Sequence, residues 1–160
     1  MATVRLKEPA KAKKRTVDSK CTEGTYVEVK GAGGHTVITD EPVNRGGTDK
    51  AAAPLTYLTA SLAACQTVQI VKVAEAMRFA HGAININCST TTDNIKGVLE
   101  NKPVMRFCAA EMAIDFETDE PGQKIERLKA MSEDRCPVGR LFADAGYPPT
   151  VIWNILPMPK

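Results

Sequence analysis

Little in this chain marks it for nucleic acid, a membrane or a metal, and each exclusion rests on something scarce. Charge of one sign is scarce: the formal net charge is only +2, which selects no class of partner. Aromatic residues make up 5% of the chain and do not interleave with the basic residues Lys7, Lys11, Lys13, Lys14, Arg15 and Lys20. The segment 1–20 therefore reads as a solvated tail or an edge strand rather than a nucleic-acid surface. Histidine is scarce too: His35 and His81 have no spaced cysteine or carboxylate partner, and no C-x-x-C occurs, so a zinc site is not expected. The most apolar stretch, Ala51 to Ala80, is interrupted by Gln66, Gln69, Lys72, Glu75 and Arg78, which a bilayer core does not tolerate cheaply. The opening Met1-Ala-Thr-Val-Arg5 runs into charges without an apolar leader core, so the five cysteines read as reduced thiols of a cytoplasmic protein. No Ser/His/Asp set, phosphate-binding loop or dinucleotide glycine pattern is present.

What is present is ordinary globular material: 160 residues, 43% hydrophobic and 25% charged. A domain of that length buries roughly two thirds of its unfolded surface and needs no staple. No repeat or long linker divides it, so 1–160 reads as a single α+β domain. Thr25–Lys30 and His35–Asp40 alternate as strands, with Gly31–Gly34 as the turn between them. Pro54 opens a helix that runs to about His81, with Gly82 as its stop. Leu55, Leu58, Leu62, Cys65, Val68, Val71, Val73, Met77 and Phe79 cover more than one of its faces. At 1.5 Å per residue such a helix is about 40 Å long. That is too long and too apolar for one small chain to cover, and it predicts a partner subunit. Ala83–Ser89 and Arg106–Glu117 follow as strands, the latter with Met112, Ile114 and Phe116 on one face. An amphipathic helix carries Ile125, Leu128 and Met131, a short helix starts at Cys136 and ends near Gly146, and Thr150–Leu156 is a last edge strand.

Two of the cysteines invite chemistry. Cys136 precedes Pro137 at a helix start, where the partial positive charge of the helix end favours a thiolate; Arg135 and Arg140 add to that field. A plain cap or a half-buried cysteine fits those residues equally well. Cys65 lies about three turns into its helix, beyond the reach of the helix end. On the residues alone it reads as a small core residue. Only an imported positive charge makes it a good nucleophile, and Arg15 and Arg45 are the candidates. Cys21, Cys88 and Cys108 read as packing residues, with Cys88 pointing the same way as Ile84 and Ile86.

Three segments, in order, resemble the OsmC/Ohr family of thiol-dependent hydroperoxide reductases. Asp40-Glu41-Pro42 with Gly46-Gly47 and Ala53-Pro54-Leu55 is similar to the family's approach to its central helix. Leu58-Thr-Ala-Ser-Leu-Ala-Ala-Cys65 resembles the helix around the first cysteine, and Cys136-Pro137-Val138 with Leu141 resembles the second-cysteine motif. The resemblance implies an OsmC-like α+β fold, antiparallel strands around a long central helix, in an intertwined homodimer with active sites at the subunit interface. It implies that Cys65 attacks an organic or small hydroperoxide, that the resulting sulfenic acid is resolved by Cys136, and that an arginine, Arg15 or else Arg45, assists; the apolar residues around Cys65 favour a small apolar substrate. It implies no resident cofactor, but an external thiol reductant such as a dihydrolipoyl group.

One position departs from that pattern. The family's peroxidases place a glutamate nine or ten residues before the first cysteine, where it holds the arginine; here Thr56 and Leu55 stand there. The departure keeps a second reading open, a dimeric hydrophobic-ligand-binding or redox-sensing protein without fast turnover. A purely structural domain whose cysteines only pack is the third.

Overall fold

The structure, a computed structural model, describes residues 13–99 and 101–159. Of the basic opening segment, Lys7 and Lys11 lie outside the described residues. The chain divides into two compact units, residues 1–54 and 55–160.

The first unit is a three-stranded antiparallel sheet, β1 (Val17–Glu23), β2 (Tyr26–Gly31) and β3 (Thr36–Thr39), in that spatial order. The C-terminal part of the basic segment thus continues into an edge strand, β1, all of whose residues are exposed. The β2–β3 turn works because Gly33 and Gly34 take φ of 107° and 81°, a region that a side chain resists. After β3 the chain makes a loop with one 3-10 turn, Val43–Arg45. Asp40 organises that loop. Its buried carboxylate accepts from the Thr25 hydroxyl at 2.7 Å, the Glu41 amide at 2.8 Å, the Thr48 hydroxyl at 2.6 Å, and the amides of Thr48 and Lys50 at 3.0 and 3.3 Å. The Thr48 hydroxyl above all, with the Thr25 hydroxyl and the two amides, outweighs burial and holds this carboxyl far below the usual carboxylate range. Gly47 passes so close to the Glu41 backbone that a Cβ there would overlap the Glu41 carbonyl.

The second unit begins with the long helix α1 (Pro54–Met77) and then β4 (Ile84–Lys96), β5 (Pro103–Glu117), α2 (Gly122–Asp134), α3 (Pro137–Asp144) and β6 (Thr150–Leu156). At 24 residues α1 is about 36 Å long, close to the length the sequence predicts. It stops earlier than Gly82. Arg78 turns left-handed at φ 50°, its amide bonding Glu75 O at 3.1 Å while the Phe79 amide reaches back to Ala74 O at 2.9 Å. This double closure is a Schellman ending, and it turns Phe79 into the core, where it is 6% exposed. A glycine at 78 has no Cβ to strain there. Arg78→Gly is therefore expected to stabilise the protein by about 0.5–1 kcal/mol, read from the urea midpoint at constant slope.

Strands β4, β5 and β6 form the second sheet, β4 antiparallel and β6 parallel to β5. The parallel edge corrects the expectation of purely antiparallel strands. Residues 118–149, with α2 and α3, form the long crossover that parallel pairing requires and return the chain to the middle of β5, where Thr150 pairs with Glu111. The alternation read from sequence holds: Ile84, Ile86 and Cys88 face inward on β4, and Met112, Ile114 and Phe116 are buried on β5. Both strands extend beyond the predicted segments because polar residues such as Thr92 and Asn94 continue the ladder without apolar alternation. Phe116, fully buried, meets the rings of Phe79 and His81 at 5.7 and 5.6 Å and the edge of Trp153 at 5.8 Å. Against this sheet α1 buries a stripe of Leu62, Gln66, Ile70, Val73 and Ala74, and the Thr59 and Thr90 hydroxyls pair at 2.7 Å. The rest of the helix is less covered than its composition suggests: Leu55, Tyr57 and Val68 are 36, 37 and 46% exposed in the single chain.

Candidate active site

Cys136 and Cys65 meet inside the second unit. Cys136 is the N-cap of α3, in extended backbone, and Pro137 takes the first helical position, where its missing N–H costs nothing. Its sulfur accepts from the Gly139 amide at 3.3 Å. Its own amide bonds Glu133 O at 3.2 Å, tying the start of α3 to the last turn of α2. The thiol is wholly buried and has the half-buried Cys65 thiol as its neighbour; both are free.

The electrostatics reverse the local expectation for Cys136. Burial pushes its thiol up to about 11, and the neighbouring Cys65 adds to the rise. The amides of Gly139 and Val138 at the helix start pull the other way but do not prevail. An eight-residue helix carries too weak an end charge to offset complete loss of solvent. The arginines do not rescue it. Arg140 points its guanidinium to Asp144 at 3.2 Å among exposed groups, and Arg135 closes α2 as its C-cap. Cys136 is thus a protonated thiol at neutral pH.

The turn of α1 that carries Cys65 also carries its neighbours' anchors. A Cβ built on Gly139 would lie 3.4 Å from the Cys136 sulfur and 4.0 Å from Leu62 Cδ1, so the thiol, Gly139 and Leu62 are packed together. One turn on, buried Gln66 donates from Nε2 to the Ser132 hydroxyl at 3.3 Å, and Ser132 donates to Lys129 O at 3.0 Å. Gln66 and Gly139 also line a cleft of about 310 Å³ with Met112, Arg140 and Val151. By sequence alone Gln66 reads only as a polar break in an apolar run. Its signal was present, since a glutamine beside a cysteine on a buried helix face needs a partner.

The remaining candidates fall elsewhere. Arg15 lies exposed just before β1, and Arg45 ends the 3-10 turn, paired with Glu41 at 3.5 Å; both belong to the first unit. The first turn of α1 holds no acid, as Leu55 and Thr56 foretold. Cys88 packs half-buried against the core, and burial raises its thiol. Cys21 and Cys108 are exposed, not packed: their thiols bond Gly24 O at 3.3 Å and Thr91 O at 3.5 Å. Each lies on a solvent-facing part of its strand, a placement that cysteine's apolar character did not suggest. Among the described residues no cluster of three or more His, Cys, Asp or Glu could hold a metal ion, and no helix is long and apolar enough to cross a membrane.

Comparison with known proteins follows the same outline. The family profile described as OsmC-like protein matches residues 47–151, well over half of the chain. Curated protein sequences yield no match. Among solved structures the chain is similar to an OsmC-like protein from Mycoplasma pneumoniae, with TM-score 0.70 and 16% identity over 90% of this chain and 98% of that one. It is similar to an organic hydroperoxide resistance protein OsmC from Legionella pneumophila, with TM-score 0.62 and 18% identity over 88% of this chain and 96% of that one. The organic hydroperoxide resistance protein OhrB of Bacillus subtilis matches at TM-score 0.60 and 14% identity, over 88% and 98% of the two chains. At such identities the structural matches speak for the fold, and the profile, which takes in Cys65 and Cys136, speaks for descent. The chain belongs to the OsmC-like protein family.

Proposed function

We propose that this protein reduces small apolar hydroperoxides through Cys65 and Cys136, in keeping with the hydroperoxide-resistance proteins it resembles. The observation that carries the reading is that two thiols far apart in sequence are neighbours at the start of α3. Their unequal surroundings favour a division of labour. Cys136, buried and protonated, is poorly suited to strike first; half-buried Cys65 is the attacking group.

In the first step the Cys65 thiolate attacks the terminal peroxide oxygen. An S–O bond forms, the O–O bond breaks, and the alcohol leaves after taking a proton, with Cys65 a sulfenic acid. Cys136, as thiolate, then attacks the Cys65 sulfur; the S–S bond forms and hydroxide leaves, protonated to water. An external dithiol such as a dihydrolipoyl group returns both cysteines to thiols and is itself oxidised to a disulfide. Arg15 is the proposed assistant to the thiolate, with Arg45 the alternative. The exposed Leu55, Tyr57 and Val68 on α1 support an intertwined homodimer, in which a second copy covers them.

The decisive experiment treats fully reduced protein with one equivalent of cumene hydroperoxide and maps the peptides by mass. A Cys65–Cys136 disulfide within seconds is expected. Five free thiols after minutes in excess peroxide overturn the reading. The acid-free first turn of α1 favours a second reading, a slow redox sensor on the same pair. It predicts the same disulfide over many minutes.

A further inference from the structure

The turn of α1 around Cys65 and the joint between α2 and α3 are held in register at three places. Leu62 packs on the site of Gly139, Cys65 meets Cys136, and Gln66 bonds Ser132. Ser132 precedes Cys136 by one turn, and between them the chain is fixed by the bonds of Arg135 N to Met131 O and Cys136 N to Glu133 O, both 3.2 Å. A displacement of Ser132 along α1 therefore carries Cys136 with it. The Gln66 amide and the Ser132 hydroxyl are 1% and 0% exposed, so water does not replace a partner once lost. Leu62 alone leaves the joint free to slide, because apolar contacts are not directional. The hydrogen bond is the element that selects one register.

We propose that Gln66 and Ser132 are positioning residues that set how readily Cys65 and Cys136 bridge. Their hydrogen bonds run to each other and to Lys129 O, not to either sulfur. Their bond raises the effective concentration of one thiol at the other by pre-paying the ordering of the joint. The inference rests on the cysteine pair being the working couple, but not on what oxidises it.

The test is an equilibrium that needs no peroxide. Parent protein, Gln66→Met, Ser132→Ala and the double variant are brought to equilibrium in graded reduced and oxidised glutathione. The bridged fraction is then counted by alkylation and mass. Each single variant is expected to lower the thiol–disulfide equilibrium constant by about five- to tenfold, the worth of one buried hydrogen bond. The double variant is expected to fall no further than either single, because one bond is lost only once. The double variant also leaves no orphaned polar partner, so it reports even where a single variant does not fold. The fluorescence of the only tryptophan, Trp153, whose Nε1–H bonds Glu133 at 2.8 Å, shows in each case that α2 is docked. Parental constants in the variants, or a double effect equal to the product of the singles, overturn the proposal. So does a parent pair that bridges at no glutathione ratio. A protein that bridges in glutathione but ignores cumene hydroperoxide sinks only the peroxidase reading.

Discussion

Cys65→Ser is expected to reduce consumption of cumene hydroperoxide to background, whereas Cys136→Ser is expected to consume one equivalent and then stop. The asymmetry follows from the surroundings of the two sulfurs. Without Cys65 the only nearby thiol is Cys136, which has no solvent contact and is held protonated up to about 11. A protonated thiol is a poor nucleophile, so it cannot stand in. Without Cys136 the first step is intact, but the sulfenic acid has no internal partner. Dimedone should then label residue 65 stoichiometrically in Cys136→Ser and only transiently in the parent.

The same geometry sets a pH dependence for closure of the disulfide. A thiol whose folded value lies above its unfolded value of about 8.5 is neutral across the physiological range. The resolving thiolate is therefore a small fraction that grows about tenfold per pH unit below the folded value. Oxidation changes Cys65, the lesser cause of the rise in Cys136, and leaves burial, the larger cause, in place. Closure after rapid oxidation should therefore quicken steadily from pH 7 to pH 9. The associated stability runs the other way: it is complete below the unfolded value and is lost as pH rises through the folded one. A closure rate flat across that range would mean that Cys136 is not the resolving group.

Asp40→Asn is expected to lower the melting temperature by many degrees at neutral pH, one of the largest stability effects available in the first unit. The carboxylate accepts from two hydroxyls and from the amides of Glu41, Thr48 and Lys50. An asparagine can present its oxygen to Thr25 and Glu41, but its NH2 then faces the N–H groups of Thr48 and Lys50. Buried donors set against donors cost more than the bonds they replace. Because the folded value of Asp40 is depressed, the stability it contributes is present above its unfolded value, about 3.9. That contribution drains away as pH falls below this point toward the folded value. Parent and Asp40→Asn melting curves should thus differ most above pH 5 and converge in acid. A constant gap from pH 7 to pH 3 would show that the carboxylate's charge is not what holds the loop.

Asp40 also shows how sequence can name a residue for the wrong kind of reason. In sequence it is one residue of the family-like Asp40-Glu41-Pro42, yet its five bonds come from residues 15 positions earlier to 10 later. Which acid becomes such a hub depends on how the loop folds back. Cys136 is the converse case. Its place as a cap before Pro137 was legible, because capping is local chemistry. Its proton affinity was not, because burial by distant elements outweighs the helix end.

The sequence by itself determined the element order, the inward faces of β4 and β5, the length of α1 and the two cysteines worth attention, since periodicity, caps and turn glycines act within a few residues. Only the tertiary structure decided that β6 lies parallel to β5, that Gln66 seeks Ser132, and that Cys65 and Cys136 meet. Those outcomes turn on contacts between segments up to about seventy residues apart. The free energy of such contacts is set by packing and desolvation, which no stretch of a few residues carries within itself.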